Sequence, residues 1–135
     1  ANAQRRASNE ETRNPMKPVI FQPETLLATA VGKPVPAPLG EPISIVRSAS
    51  LTSSARATNR VGMWECSPGR WRRQIVQAEF CYFLEGRATF TPDAGEPIEI
   101  AAGDVVHFPE NSLGVWDILE ASRKIFMVFD EEPSA

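Results

Sequence analysis

Glu79-Phe80-Cys81-Tyr82-Phe83-Leu84-Glu85-Gly86, followed downstream by Gly103-Asp104-Val105-Val106-His107-Phe108-Pro109, is the part of the chain that decides the fold. Each run is rich in aromatic or β-branched residues, which suit a pleated, half-buried surface, and each is bounded by a glycine where the chain turns. Six residues separate Glu79 from Gly86, and five separate Gly103 from Pro109. Successive strand side chains point to opposite faces, so Glu79, Cys81 and Phe83 share one face. Upstream, Trp71, Arg73 and Ile75 share a face in the same way.

Working outward, the same texture continues. Strands are expected at 43–47, 60–66, 71–76, 79–84, 88–91, 98–100, 105–108, 114–118 and 124–129. Between them stand Ser67-Pro68-Gly69, Gly86, Pro92-Asp93-Ala94-Gly95, Ala102-Gly103-Asp104 and Pro109-Glu110-Asn111-Ser112. Short strands at regular spacing, with turn signals and no long helix between them, predict an all-β sandwich or barrel. A double-sheet jelly roll accommodates that arrangement.

The N-terminal part differs. Residues 1–14 are polar and read as a disordered lead that truncation should leave without effect. Seven of the twelve prolines fall within residues 15–42, so this stretch is expected to be an extended arm rather than a central strand. Pro23-Glu24-Thr25-Leu26-Leu27-Ala28 can form one or two helical turns, with a proline and an acid at its start. The arm is expected to lie on the body and bury Val19, Phe21, Leu26 and Leu27. The division is therefore a lead and arm over 1–42 and a barrel over 43–135.

Net charge is −3, split into +4 for residues 1–60 and −7 for residues 61–135. An acidic body argues against a nucleic-acid surface. Arg5, Arg6 and Arg13 are interrupted by Glu10 and Glu11, with no aromatic residue interleaved. No run is long and apolar enough to span a bilayer or to form a signal-peptide core, so neither a membrane nor nucleic acid is an expected partner and the expected location is the cytosol. Cys66 and Cys81 lack the spacing of a zinc or redox motif and read as reduced, buried thiols. His107 is the only histidine, and parity leaves open whether it or Val106 and Phe108 face inward.

Taken together, the two opening runs resemble the paired motifs of the cupin barrel, a double-stranded β-helix or jelly roll. The metal-binding cupins carry Gly-x5-His-x-His-x(3,4)-Glu-x6-Gly and then Gly-x5-Pro-x-Gly-x2-His-x3-Asn. The resemblance places Arg73, Ile75 and Glu79 at the first motif's ligand positions and Gly114 at the second motif's histidine. A four-residue spacing would select Arg72 and Gln74 instead, and would turn Trp71 and Ile75 outward. Arg73 has no lone pair, and Ile75 and Gly114 have no side-chain donor, so no metal and no cofactor is expected. An Arg73–Glu79 ion pair is expected in the interior in its place. It would serve either as a structural counter-charge or as a pocket in which Arg73 grips a substrate carboxylate and Glu79 is the catalytic base. Trp71, Cys81 and Trp116 are the expected walls.

More narrowly, Trp64-Glu65-Cys66-Ser67-Pro68-Gly69-Arg70-Trp71, the run from Glu79 to Gly86, Gly114-Val115-Trp116 and Arg123-Lys124 resemble the small cupins related to ureidoglycine aminohydrolase and the ethanolamine-utilisation cupins. That resemblance implies a single-domain barrel binding a small molecule, with possible roles in carboxylate or nitrogen chemistry. The hydrolase binds manganese through Glu, His and Gln, and only Glu79 matches that set. Two other readings stand beside it: a non-catalytic interaction module that forms a homodimer, and a metal enzyme with atypical ligands.

Overall fold

A computed structural model describes residues 18–52 and 59–129. The lead expected over residues 1–14 lies outside them. The chain forms one short helix, α1 (Pro23–Ala28), and eight strands: β1 (Lys33–Pro34), β2 (Ile45–Leu51), β3 (Asn59–Cys66), β4 (Gly69–Ile75), β5 (Ala78–Pro92), β6 (Ile98–Ala101), β7 (Val105–Phe108) and β8 (Ser112–Phe129). All pairings are antiparallel among the described residues. Among the same residues, no helix is long and apolar enough to cross a membrane.

Two long strands organise the barrel. The first half of β8 lies between β4 and the second half of β5, while its second half lies between β3 and the first half of β5. β7 and β6 flank the first and second halves of β5. Two sheets, β1-β2-β3-β8-β5-β7 and β4-β8-β5-β6, are thus continuous through the β5–β8 pair. This is the jelly-roll architecture that the turn spacing predicts.

The sequence suggests two strands where β5 runs unbroken, and two more where β8 does. The ladder survives because the bend is absorbed locally by register shifts between Phe83 and Ala88. Inward positions of β5 are Glu79, Cys81 and Phe83 before the bend, then Ala88 and Phe90 after it. The bulge switches the parity, so both halves present their apolar side to one interior. Gly86 sits in this bend with φ of 93°. A Cβ there would run into the Ala121 carbonyl and Ser122 of β8, so only glycine fits both the dihedral and the space. Across the barrel, Asn111 takes the left-handed conformation (φ 57°) in the turn into β8, a role its short amide side chain tolerates.

The core is aromatic. Trp116, 1 % exposed, packs against Trp64, Phe83, Phe90 and Phe108 at centroid distances of 5.8, 6.3, 5.0 and 5.8 Å. Phe108 and half-buried Val106 join this interior, which places Val105 and His107 on the outer face. There the His107 ring stacks on Phe80 at 4.5 Å.

The proline-rich stretch joins the edges of both sheets. β1 pairs with β2, and the Val35 amide donates to the Ser44 carbonyl. Farther on, Ala37 accepts from the Arg72 amide and Leu39 donates to the Arg70 carbonyl. Pro34, Pro36 and Pro38 cannot donate, so the residues between them make these bonds. α1 docks by Leu27, buried to 1 % exposure. Phe21 and Leu26 are only half-buried, and Val19 remains 53 % exposed, so the docking is narrower than the four apolar residues suggest. Charge completes it: Arg123 binds Glu24 of α1 at 2.8 Å and Glu65 at 2.7 Å, and Arg47 binds Glu65 at 3.0 Å.

Candidate functional site

The two sheets enclose a cavity of about 140 Å³, lined in part by Ser48, Arg60, Trp64, Arg73, Glu79, Trp116 and Lys124. A wider groove of about 430 Å³ adjoins it along Ser48, Trp64 and Arg73, with Trp71 and the β1 residues Lys33 and Pro34 among its walls. The extended arm therefore forms one side of the barrel mouth.

At the floor, Lys124 Nζ lies 2.6 Å from Glu79 Oε2, with both side chains under 10 % exposed. β8 sets Lys124 on one rung between Trp64 of β3 and Phe83 of β5. The ammonium stands 4.6 Å from the Trp64 ring centroid, 5.5 Å from Phe108, 5.7 Å from Trp116 and 5.9 Å from Phe83. Ring faces attract a desolvated cation by up to ~2 kcal/mol, and a buried charge needs its partner, so cage and carboxylate hold the same nitrogen.

This corrects the expected Arg73–Glu79 pair. Glu79 is inward as the parity requires, but its partner is Lys124, and no Arg73–Glu79 ion pair forms among the described residues. The reason is the rung each cation occupies. Arg73 lies opposite Gly114 on β4, at the open end, and is exposed; Lys124 lies deeper, on the same sheet as Glu79. The preferred frame otherwise describes the geometry. Trp71 and Ile75 are buried, Trp71 lies opposite Trp116, and Arg72 turns outward to Asp93 at 2.8 Å.

Of the other expected residues, Trp116 lines the inner cavity and Trp71 the adjoining groove. Cys81 is buried beside the pair, its thiol 3.6 Å from the Val106 carbonyl, and burial pushes its pKa up to about 12. Cys66 is likewise raised by burial, to about 11. Both thiols are inert at neutral pH.

Lys124 and Trp64 are the site residues that sequence reasoning did not select. Trp64 reads as core material. Lys124 shares its parity with Phe126 and Val128, which is the available signal; Ile125, Met127 and Phe129 make the other parity equally apolar, so the strand does not declare its inner face.

A transition metal does not fit here. Of the positions matching cupin ligands, Arg73, Ile75 and Gly114 offer no donor, and the remaining one, Glu79, is engaged by an ammonium. Among the described residues, no three His, Cys, Asp or Glu side chains converge as a metal site.

Comparison with known proteins agrees with the architecture. The family model of the EutQ-like cupin domain matches residues 53–126. No curated protein matches the chain. Among solved structures, the Salmonella typhimurium LT2 ethanolamine utilization protein Q is 18% identical with TM-score 0.56, over 65% of this chain and 72% of that one. Clostridium difficile EutQ is 19% identical with TM-score 0.58, over 70% and 76%. A Pseudomonas syringae pv. tomato protein of unknown function is 24% identical with TM-score 0.64, over 76% of this chain and 45% of that one. These likenesses concern the fold.

Proposed function

The chain belongs to the EutQ-like cupin family, and from that premise we propose that it binds a small carboxylate in the barrel without a transition metal. The observation that carries this reading is Arg73. It lines the cavity with no acid partner among the described residues, while the floor below it is a neutralised Lys124–Glu79 pair. A cationic fork at the mouth of an aromatic pocket matches a carboxylate in both charge and geometry. At about 140 Å³ the inner cavity has room for about four or five waters' worth of ligand, at ~30 Å³ each, so the ligand is small.

Calorimetry and thermal shift with short-chain carboxylates, with and without chelator, test the reading, because only native-state binding raises the midpoint. Saturable binding that is chelator-insensitive and abolished by Arg73→Met is expected. Binding unaffected by Arg73→Met, or restored only by added metal, would overturn it.

A second reading concerns the outer face. Val61, Phe80, Tyr82, Val105, Ile125 and Met127 line a shallow apolar depression there, with Phe80 46 % and Val105 67 % exposed. No charged residue lines it, so a second copy of the chain meets it without like-charge repulsion, and we propose a homodimer through this face. Sedimentation should show a dimer that Phe80→Asp dissociates; a monomeric native chain would refute it.

A further inference from the structure

Lysine on the inner face of a barrel needs a chemical account, because an aliphatic residue of similar volume would fill that place without desolvating two charges. Lys124 is 4 % exposed, yet it and Glu79 both line the cavity that Arg73 opens to the outside. Lys124 is therefore buried in the wall and still lines the space a ligand would occupy. Among the described residues no other lysine is so placed: Lys33 sits exposed on the arm. A nitrogen, a carboxylate in contact with it and an anion-gripping arginine around one small cavity are the parts of an imine-forming site.

We infer that Lys124 condenses with the carbonyl of a small 2-oxo acid whose carboxylate is held by Arg73. The inference rests on the carboxylate reading of the cavity and names its substrate class. The ligand follows from the lining. Arg73 and Lys124 line the same cavity of about 140 Å³, so a small ligand whose carboxylate meets Arg73 keeps its remaining carbons in the space that Lys124 lines. A carbonyl adjacent to the carboxylate is the electrophile such a ligand offers there.

The chemistry balances on the groups present. Glu79 takes a proton from the Lys124 ammonium across the 2.6 Å contact, which frees the nitrogen lone pair. Nζ attacks the carbonyl carbon, a C–N bond forms, and the carbonyl oxygen becomes the hydroxyl of a carbinolamine by taking up a proton from the nitrogen. Glu79 returns its proton to that hydroxyl, the C–O bond breaks, water leaves, and a protonated imine remains on Nζ. The sum is ammonium plus ketone giving iminium plus water, with charge unchanged and no oxidant or reductant consumed.

The surroundings suit the product as well as the start. The positive charge stays on the same nitrogen, so Glu79 and the rings of Trp64, Trp116, Phe108 and Phe83 stabilise the iminium as they do the ammonium. Cys81, the other nucleophile near the pair, has its thiol raised to about 12 by burial and stays protonated. It does not compete for the carbonyl.

The test uses the full chain with pyruvate and sodium cyanoborohydride, which reduces an imine to a stable secondary amine, followed by intact mass and peptide mapping. One adduct per chain on Lys124, saturable in pyruvate and suppressed by excess lactate, is expected. Glu79→Gln should slow its formation about 10²-fold, the usual size of a lost acid–base group. Mapping on the native chain locates the nitrogen even if Lys124→Met fails to fold. Adduct confined to Lys17 or Lys33, or unaffected by lactate, would overturn the inference. If lactate binds in an Arg73-dependent way but pyruvate leaves no adduct, the condensing role of Lys124 fails and the carboxylate site stands. If neither acid binds, both readings fail.

Discussion

Lys124 and Glu79 are rung neighbours of different partners, Phe83 and Val128, yet their side chains converge to 2.6 Å inside the barrel. Removing either partner strands the other charge in an aromatic interior, at a cost of about 3–5 kcal/mol. Lys124→Met and Glu79→Gln should each lower stability on that scale in urea titrations, and the double variant should lose less than their sum. Additive losses would mean that the two groups are not coupled.

Arg73 should behave in the opposite way. It is exposed and makes no ion pair among the described residues, so Arg73→Met is expected to change the unfolding free energy by no more than about 0.5 kcal/mol. The same variant should abolish carboxylate binding. A large stability loss would place Arg73 in a structural pair after all.

The arm is held by Leu27 and by the Glu24–Arg123–Glu65–Arg47 chain of charges. Leu27→Ala should cost about 2–5 kcal/mol, and deleting residues through 30 should lower the melting midpoint clearly. Acid should weaken this attachment. Burial opposes ionisation of Glu65, but Arg123 and Arg47 outweigh it and hold the carboxyl below its usual 4.5. Its contribution is present above that value and is lost as pH falls through the lowered folded pKa. Leu27→Ala with an unchanged midpoint would show that the helix does not dock.

Alkali should act through the two thiols. Burial raises Cys66 from 9.0 to about 11 and Cys81 from 9.0 to about 12. Their contribution is full below pH 9, where both states hold the proton, and is lost as pH rises from 9 toward 12, because the unfolded chain ionises first. A Cys66→Ala/Cys81→Ala variant should be less stable at pH 7 but decline less steeply above pH 9. Parallel slopes would refute the assignment.

Gly86→Ala should cost at least about 2 kcal/mol, since alanine must adopt a φ of 93° while its Cβ meets Ala121 and Ser122. Gly103, with φ of 96° but open space around it, should tolerate alanine better. Equal losses at the two sites would show that dihedral strain alone sets the effect.

Much of this was legible in the residues. Turn spacing gave the barrel, and the shared parity of Trp71 and Ile75 identified the inward face of β4. The continuity of β5 was not legible, because a glycine that permits a bulge is written no differently from one that ends a strand; in β8 the mostly polar run Glu120-Ala121-Ser122-Arg123 reads as a break. Lys124 was hidden for another reason. Both faces of its strand are apolar, one against the core and one on the outside, and alternation carries no information when the two parities look alike.

β8 is also the last described element to leave the ribosome, and it is the central partner of β3, β4 and β5. Until its residues emerge, those strands lack the neighbour that their ladders require. The barrel therefore closes only after β8 has been made, as one event dominated by distant pairings. A nascent chain arrested before Ser112 should expose Trp64, Phe83 and Phe90 together, which makes the interval before β8 emerges its period of greatest need for a chaperone.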